Sequence, residues 1–172
     1  MRHGVAIVAL ALVILGIGSS ALAVGDETIA SIEGVWKVVE IRQVGPKGEA
    51  VVSDPEPGLY IFTAKHYSMV WTPGSAERPG SATTWFPTNE EKVQDFNTII
   101  VNSGTYEMAD STMTTYPVVA KTPEFVGGKA VYHWRVAADT LWLTMVDTYA
   151  SDGTQDPWVL TYRTPVKLAR LE

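Results

Sequence analysis

No cysteine occurs among the 172 residues, which excludes a disulfide framework and lipid attachment at a cysteine beside a cleavage site. Basic residues are few and scattered: 13 Lys and Arg stand against 19 Asp and Glu, for a net charge of -6. Phosphate-backbone binding needs grouped Lys and Arg, and so does an electrostatic hold on anionic lipid, so neither partner fits this chain. Also missing are the Gly-x-Ser-x-Gly elbow, the Walker loop, the dinucleotide fingerprint and His-Glu-x-x-His. The common hydrolase and nucleotide-enzyme signatures therefore fail, and no internal repeat is present.

The longest apolar run is at the N-terminus. Arg2 and His3 precede an apolar stretch from Val5 to Ile17, and Ala21-Leu22-Ala23 offers small residues for cleavage, the pattern of a secretory signal peptide over 1–23. A membrane-spanning helix needs about 20 apolar residues, and Gly16, Gly18, Ser19 and Ser20 break this run too early. Export to the periplasm or medium is expected, with no stable membrane anchor afterwards. Cleavage removes Arg2 and makes the balance one unit more negative. A lead-in over 24–33 and one domain over 34–172 remain, about 150 residues that suit a single core.

From Gly34 onward, short runs rich in Val, Ile, Thr, Tyr, Phe and Trp end at Gly, Pro, Asp or Asn, the pattern of an all-β sandwich or barrel. Seven to nine strands are expected, the clearest at 34–44, 58–63, 67–72, 104–109, 112–120, 129–138, 140–148 and 158–163. Turns fall at Ala64-Lys65-His66, Asp110-Ser111, Ala138-Asp139 and Ser151-Asp152-Gly153. One helix interrupts the pattern at about 89–100. Thr88 and Glu91 form a capping box, and Val93, Phe96 and Ile100 recur at helical spacing, an apolar stripe expected to be buried on the barrel. Before it, Pro73 to Pro87 reads as a long loop, either a lid or a plain surface connection. Pro117 interrupts its strand, so a bulge or an edge is expected there, which leaves the direction of Tyr116 open.

Gly34-Val35-Trp36 opens the first strand and Arg163 stands in the last run. In a closed antiparallel barrel these strands are neighbours, so Trp36 can plug the base with Arg163 across its ring as a cation–π lid. Function then belongs at the opposite, open end, where Trp71, Trp85 and the Pro-rich loop are expected.

Several segments together resemble the bacterial lipocalin-like domain family, within the lipocalin and calycin group of small β-barrels. Gly34 to Val39 is similar to its opening strand, Gly58 to Thr63 to its second, and Gly104-Thr105-Tyr106-Glu107 to its Gly-Thr-Tyr segment. Pro123 to Gly127 resembles its Pro-containing loop, Asp139 to Leu143 its penultimate hairpin, and Trp158 to Arg163 its closing strand. Lys65-His66 departs from the Asp-Gly usual after the second strand. The resemblance implies a single eight-stranded up-and-down β-barrel that binds a small hydrophobic or amphipathic molecule in a central cavity.

Tyr and Trp pair apolar walls with a polar tip, and such rings are spread over nearly every strand. Tyr60, Phe62, Trp71, Trp85, Tyr106, Tyr116, His133 and Trp142 are the ligand-binding candidates, and the opposing reading has the rings fill the core. With Trp36 inward, period-two alternation also turns Glu40 inward as an acid/base candidate, unless a bulge resets the strand and leaves it in water. His133 is the other acid/base candidate and could face a haem iron as an alternative cofactor; otherwise it is structural. His66 lies in a turn. Two His residues without a carboxylate motif do not make a metal site, and Asp147, Asp152 and Asp156 lack the spacing of a calcium loop. The leading expectation is a non-catalytic carrier with no cofactor. Its alternatives are a barrel isomerase, cyclase or hydrolase using Glu40 or His133, and a protein-binding inhibitor working through the 73–87 loop.

Overall fold

The computed structural model describes residues 31–172. The signal peptide expected over 1–23 lies outside the described residues. The chain runs through β1 (Gly34–Gly45), β2 (Gly48–Val52), β3 (Leu59–Phe62), β4 (His66–Trp71), α1 (Asn89–Asn97), β5 (Ile100–Ala109), β6 (Thr112–Ala120), β7 (Lys129–Ala137), β8 (Thr140–Tyr149), α2 (Trp158–Thr161) and β9 (Thr164–Arg170). A 3-10 turn, Pro123–Phe125, separates β6 from β7. Strand β1 pairs with β2 and β3, successive strands pair antiparallel from β3 onward, and β1 pairs with β9 to close the ring. The barrel proper is the eight strands β1 and β3 to β9; β2 is a hairpin partner added to the upper half of β1.

Strand β1 serves two neighbours on one edge. Its first residues pair with β3, from Gly34 with Phe62 to Lys37 with Leu59, and its later ones pair with β2, from Ile41 with Val52 to Gly45 with Gly48. On the other edge its register against β9 shifts between Val38 and Glu40. A bulge lets one strand bend while flipping the faces its side chains take. Trp36, Val38 and then Ile41 are buried, so Glu40 comes out on the exterior, where its carboxylate accepts from Arg42 Nε at 2.6 Å. Of the two orientations open for Glu40, the bulge selects the outward one.

The base is closed by Trp36, which is fully buried. Its Nε1 donates to Ile32 O at 2.8 Å, and the guanidinium of Arg170 lies 4.0 Å from the ring centroid. Arg170 also donates to the carbonyls of Glu33 and Ser31. The cationic lid exists, but its residue is Arg170 and not Arg163. The segment expected as the closing strand, 158–163, is instead the single helical turn α2. Asp156 accepts from Trp158 N, and Trp158 stacks on Tyr162 with centroids 4.2 Å apart. Arg163 donates to the carbonyls of Val159 and Tyr162, in a loop bridged to Val44. Gly34 meets the same closure with φ +132, and a Cβ there would collide with the carbonyl of Glu172. Only glycine fits such a conformation without strain.

Two further expectations change. Helix α1 ends at Asn97, and Ile100 opens β5, so the apolar stripe is reduced to Val93 and Phe96, both more than half exposed. The helix is held by polar contacts. Its capping box is intact, Glu91 Oε1 also accepts from Ala82 N, and Arg78 reaches Thr98 Oγ1. Lys121 Nζ donates to Phe96 O and lies over the Phe96 ring. Pro117 does sit at a bulge, where the β5–β6 register shifts between Ser103 and Gly104. Met113 and Thr115 face the core, which turns Tyr116 outward to donate to Glu107.

Candidate ligand cavity

The barrel is filled at one end and hollow at the other. Trp36, Phe62, Tyr106, Met113, Leu141 and Leu168 close the base, all buried. Phe62 meets Tyr106 edge to face at 5.6 Å, and the Tyr106 hydroxyl donates to Thr63 O at 2.6 Å. Above them opens a cavity of about 840 Å³. Such a volume is within the range of small-molecule pockets.

The strand pattern explains the walls. Past the bulge, β1 turns Ile41 and Gln43 inward; β2 adds Ala50 and Val52, and β3 and β4 add Tyr60, Met69 and Trp71. Across the barrel stand Ile100 and Asn102 of β5, Tyr132 of β7, Leu143, Met145 and Thr148 of β8, and Thr164 and Val166 of β9. The rim is made by Pro73 and Gly74, by Lys121, Glu124 and Phe125 around the 3-10 turn, and by Gln155, Asp156 and Trp158 before β9. The opening is at the end away from the Trp36–Arg170 closure, as the β1 and β9 directions require.

Of the eight ligand candidates, Tyr60 and Trp71 line the cavity. Phe62 and Tyr106 belong to the filled base. Trp142 points outward beneath Arg135, whose guanidinium lies 3.6 Å from its ring centroid. His133 is exposed on the outer face of β7, because the inward residues there are Ala130, Tyr132, Trp134 and Val136. His133 therefore faces neither a haem in the cavity nor a substrate. Trp85 is 89% exposed with φ +69, outside the cavity walls.

Tyr132, Met69 and the inward residues of β8 were within reach of alternation along their own strands. The contributions of β2 and α2 were hidden, since 48–52 gave no strand signal and 158–161 looked extended. The three Asp residues are used locally: Asp147 accepts from Tyr149, Gln155 and Thr148 N, Asp152 from Thr154 N, and Asp156 from Trp158 N. Among the described residues no group of three His, Cys, Asp or Glu could hold a metal ion.

The interior is polar in places but uncharged. Burial pushes the phenol of Tyr60 well above its ordinary range, with neighbouring Tyr132 adding to it. Tyr132 is raised by burial and then by Tyr67, and Tyr67 itself is pushed up by burial to about 12. All three phenols therefore keep their protons at neutral pH. Tyr67 Oη, Asn102 Oδ1 and Trp134 Nε1 are buried with no hydrogen-bond partner. No ionisable carboxylate or amine lines the deep part; Lys121, Glu124 and Asp156 stand at the rim.

No curated protein matches this chain. The sequence profile of the lipocalin-like domain matches residues 33–164, which spans the described barrel from its Trp36 plug to the first residue of β9. With an eight-stranded antiparallel barrel, closed at one end and hollow at the other, the chain belongs to the lipocalin-like domain family.

Proposed function

We propose that this protein is an exported, non-catalytic carrier that holds one small hydrophobic or amphipathic molecule in its barrel. The observation that carries this reading is the cavity of about 840 Å³ with walls such as Ile41, Val52, Met69, Trp71 and Leu143. Mainly apolar walls around a volume of this size favour an apolar guest. The acid/base alternative loses its residues, because Glu40 and His133 are on the outer face and Glu40 is already paired with Arg42. Exposed Trp85 and Phe86 on the long loop are what favours the inhibitor alternative, but a hollow barrel is a feature that alternative does not need.

The test is native mass spectrometry of protein expressed with export to the periplasm, followed by extraction of any bound molecule. Expected is an adduct released on activation, together with quenching of Trp fluorescence by added apolar ligands, since Trp71 and Trp158 border the cavity. Val52→Trp, which adds bulk at the wall near the mouth, should lower affinity at least about tenfold while leaving the fold intact. Protein that is empty from several hosts, and unquenched by fatty acids, retinoids and haem, would refute the carrier reading.

A further inference from the structure

Burying a polar group without a partner is costly, and such groups in native proteins call for an explanation. Asn102 is one of these. It is 7% exposed, its side chain borders the cavity, and its Oδ1 accepts no hydrogen bond. The register holds it in place, with Met69 opposite on β4 and Ala120 opposite on β6, neither of which has a side-chain donor. The terminal torsion of an Asn side chain is broad and soft, so a small rotation turns the carboxamide toward a guest. A carboxamide offers both an acceptor and two donors.

Tyr60 and Tyr132 line the same cavity, and both are held protonated by burial. No Lys, Arg or His accompanies them. Lys121 is at the rim, and its ammonium is already engaged with the carbonyl and ring of Phe96. The neighbouring ionisable groups at the rim, Glu124 and Asp156, are acids. A carboxylate carried deep inside would thus be buried without a counter-charge, past a rim whose three charges sum to one negative.

We infer that the guest is an uncharged amphiphile, an alcohol or primary amide with an apolar body, whose polar head donates to Asn102 Oδ1 in the cavity that Tyr60 and Tyr132 also line. This rests on the carrier reading and adds the chemistry of the head. The apolar body fills the space between Ile41, Trp71 and Met145, and the head enters first.

The test compares decan-1-ol, 1-methoxynonane, decanoate and decyltrimethylammonium, all below their aggregation limits, by competition against a neutral fluorescent probe bound to the full chain. Decan-1-ol should bind about tenfold more tightly than 1-methoxynonane, which lacks the donor, and more tightly still than decanoate. In Asn102→Leu the ratio of alcohol to ether affinity should fall to about one, whatever the absolute affinity of each. Equal binding of alcohol and ether by the unaltered protein, or tightest binding of either ion, would overturn this inference and leave the carrier reading standing. Binding of none of the four, and of no probe, would overturn both.

Discussion

The Tyr67 hydroxyl is buried with no well-formed hydrogen bond, Thr115 being the side chain in its reach, so its removal deletes little. Tyr67→Phe should leave stability within about 0.5 kcal/mol of the original or raise it, as urea unfolding would measure. The same phenol sets a pH dependence. In the unfolded chain it ionises near its ordinary value of about 10, whereas in the folded protein it keeps its proton to about 12. Between those values the folded state binds more protons, so stability present below pH of about 10 is lost as the pH rises through 12. Tyr60 and Tyr132 act in the same direction. Unfolding midpoints collected from pH 9 to 12 should fall, and Tyr67→Phe should make the fall shallower.

Trp36 shows the opposite case, a large ring with every side occupied. Trp36→Ala should cost about 3–5 kcal/mol. Arg170→Ala, which loses the ring contact and the carbonyls of Ser31 and Glu33, should cost about 2 kcal/mol, and Arg163→Ala less, in the same thermal or chemical unfolding series. A reversed order of the two arginines would contradict the assignment of the lid.

At the scale of elements, legibility followed how much of the side-chain pattern each segment owes to the core. Strands β6 and β7 are bounded by tight two-residue turns, where Asp110 and Ala138 take left-handed φ of 48 and 47, and their limits could be read closely. The last strand was misplaced because TPVKLAR carries Lys167 and Arg170 amid its apolar residues, while WVLTYR looks more strand-like in composition. Yet Asp156 and the Trp158–Tyr162 stack favour a turn of helix there. Parity in β1 failed at Glu40 because a bulge leaves no composition signal.

A carboxylate helps join helix α1 to the loop before it, beside the contacts of Arg78 with Thr98 and Asp95. Glu91 accepts from Ala82 N at 2.8 Å and Thr88 N at 2.6 Å, and these bonds hold its carboxyl below the usual carboxylate range. The clamp is present above the ordinary Glu value and is lost as pH falls through the depressed one. Glu91→Ala should therefore raise the rate of limited proteolysis within 73–87 severalfold, with little change in global unfolding, since α1 buries no residue. Unchanged cleavage would show that the loop is fixed by other contacts.

For the whole molecule, the order of strands and the two distinct ends could be read from sequence, because β1 and β9 must meet in a closed ring. The choice between filled and hollow could not. Both occur, at different heights, and the division depends on how far each strand rises above Trp36 and where its bulge lies. Asn102 was invisible for a related reason: a lone Asn in a strand says nothing until the residues opposite it are known.

The closure at Trp36 places Glu172 beside Val35, whose backbone N–H donates to Glu172 O, on the side opposite the cavity. Any handle attached through residue 172 therefore leaves the entrance unobstructed. A layer of molecules tethered at that point to a sensor chip would stand with their openings toward the flowing solution, each able to report a guest without steric interference from the support.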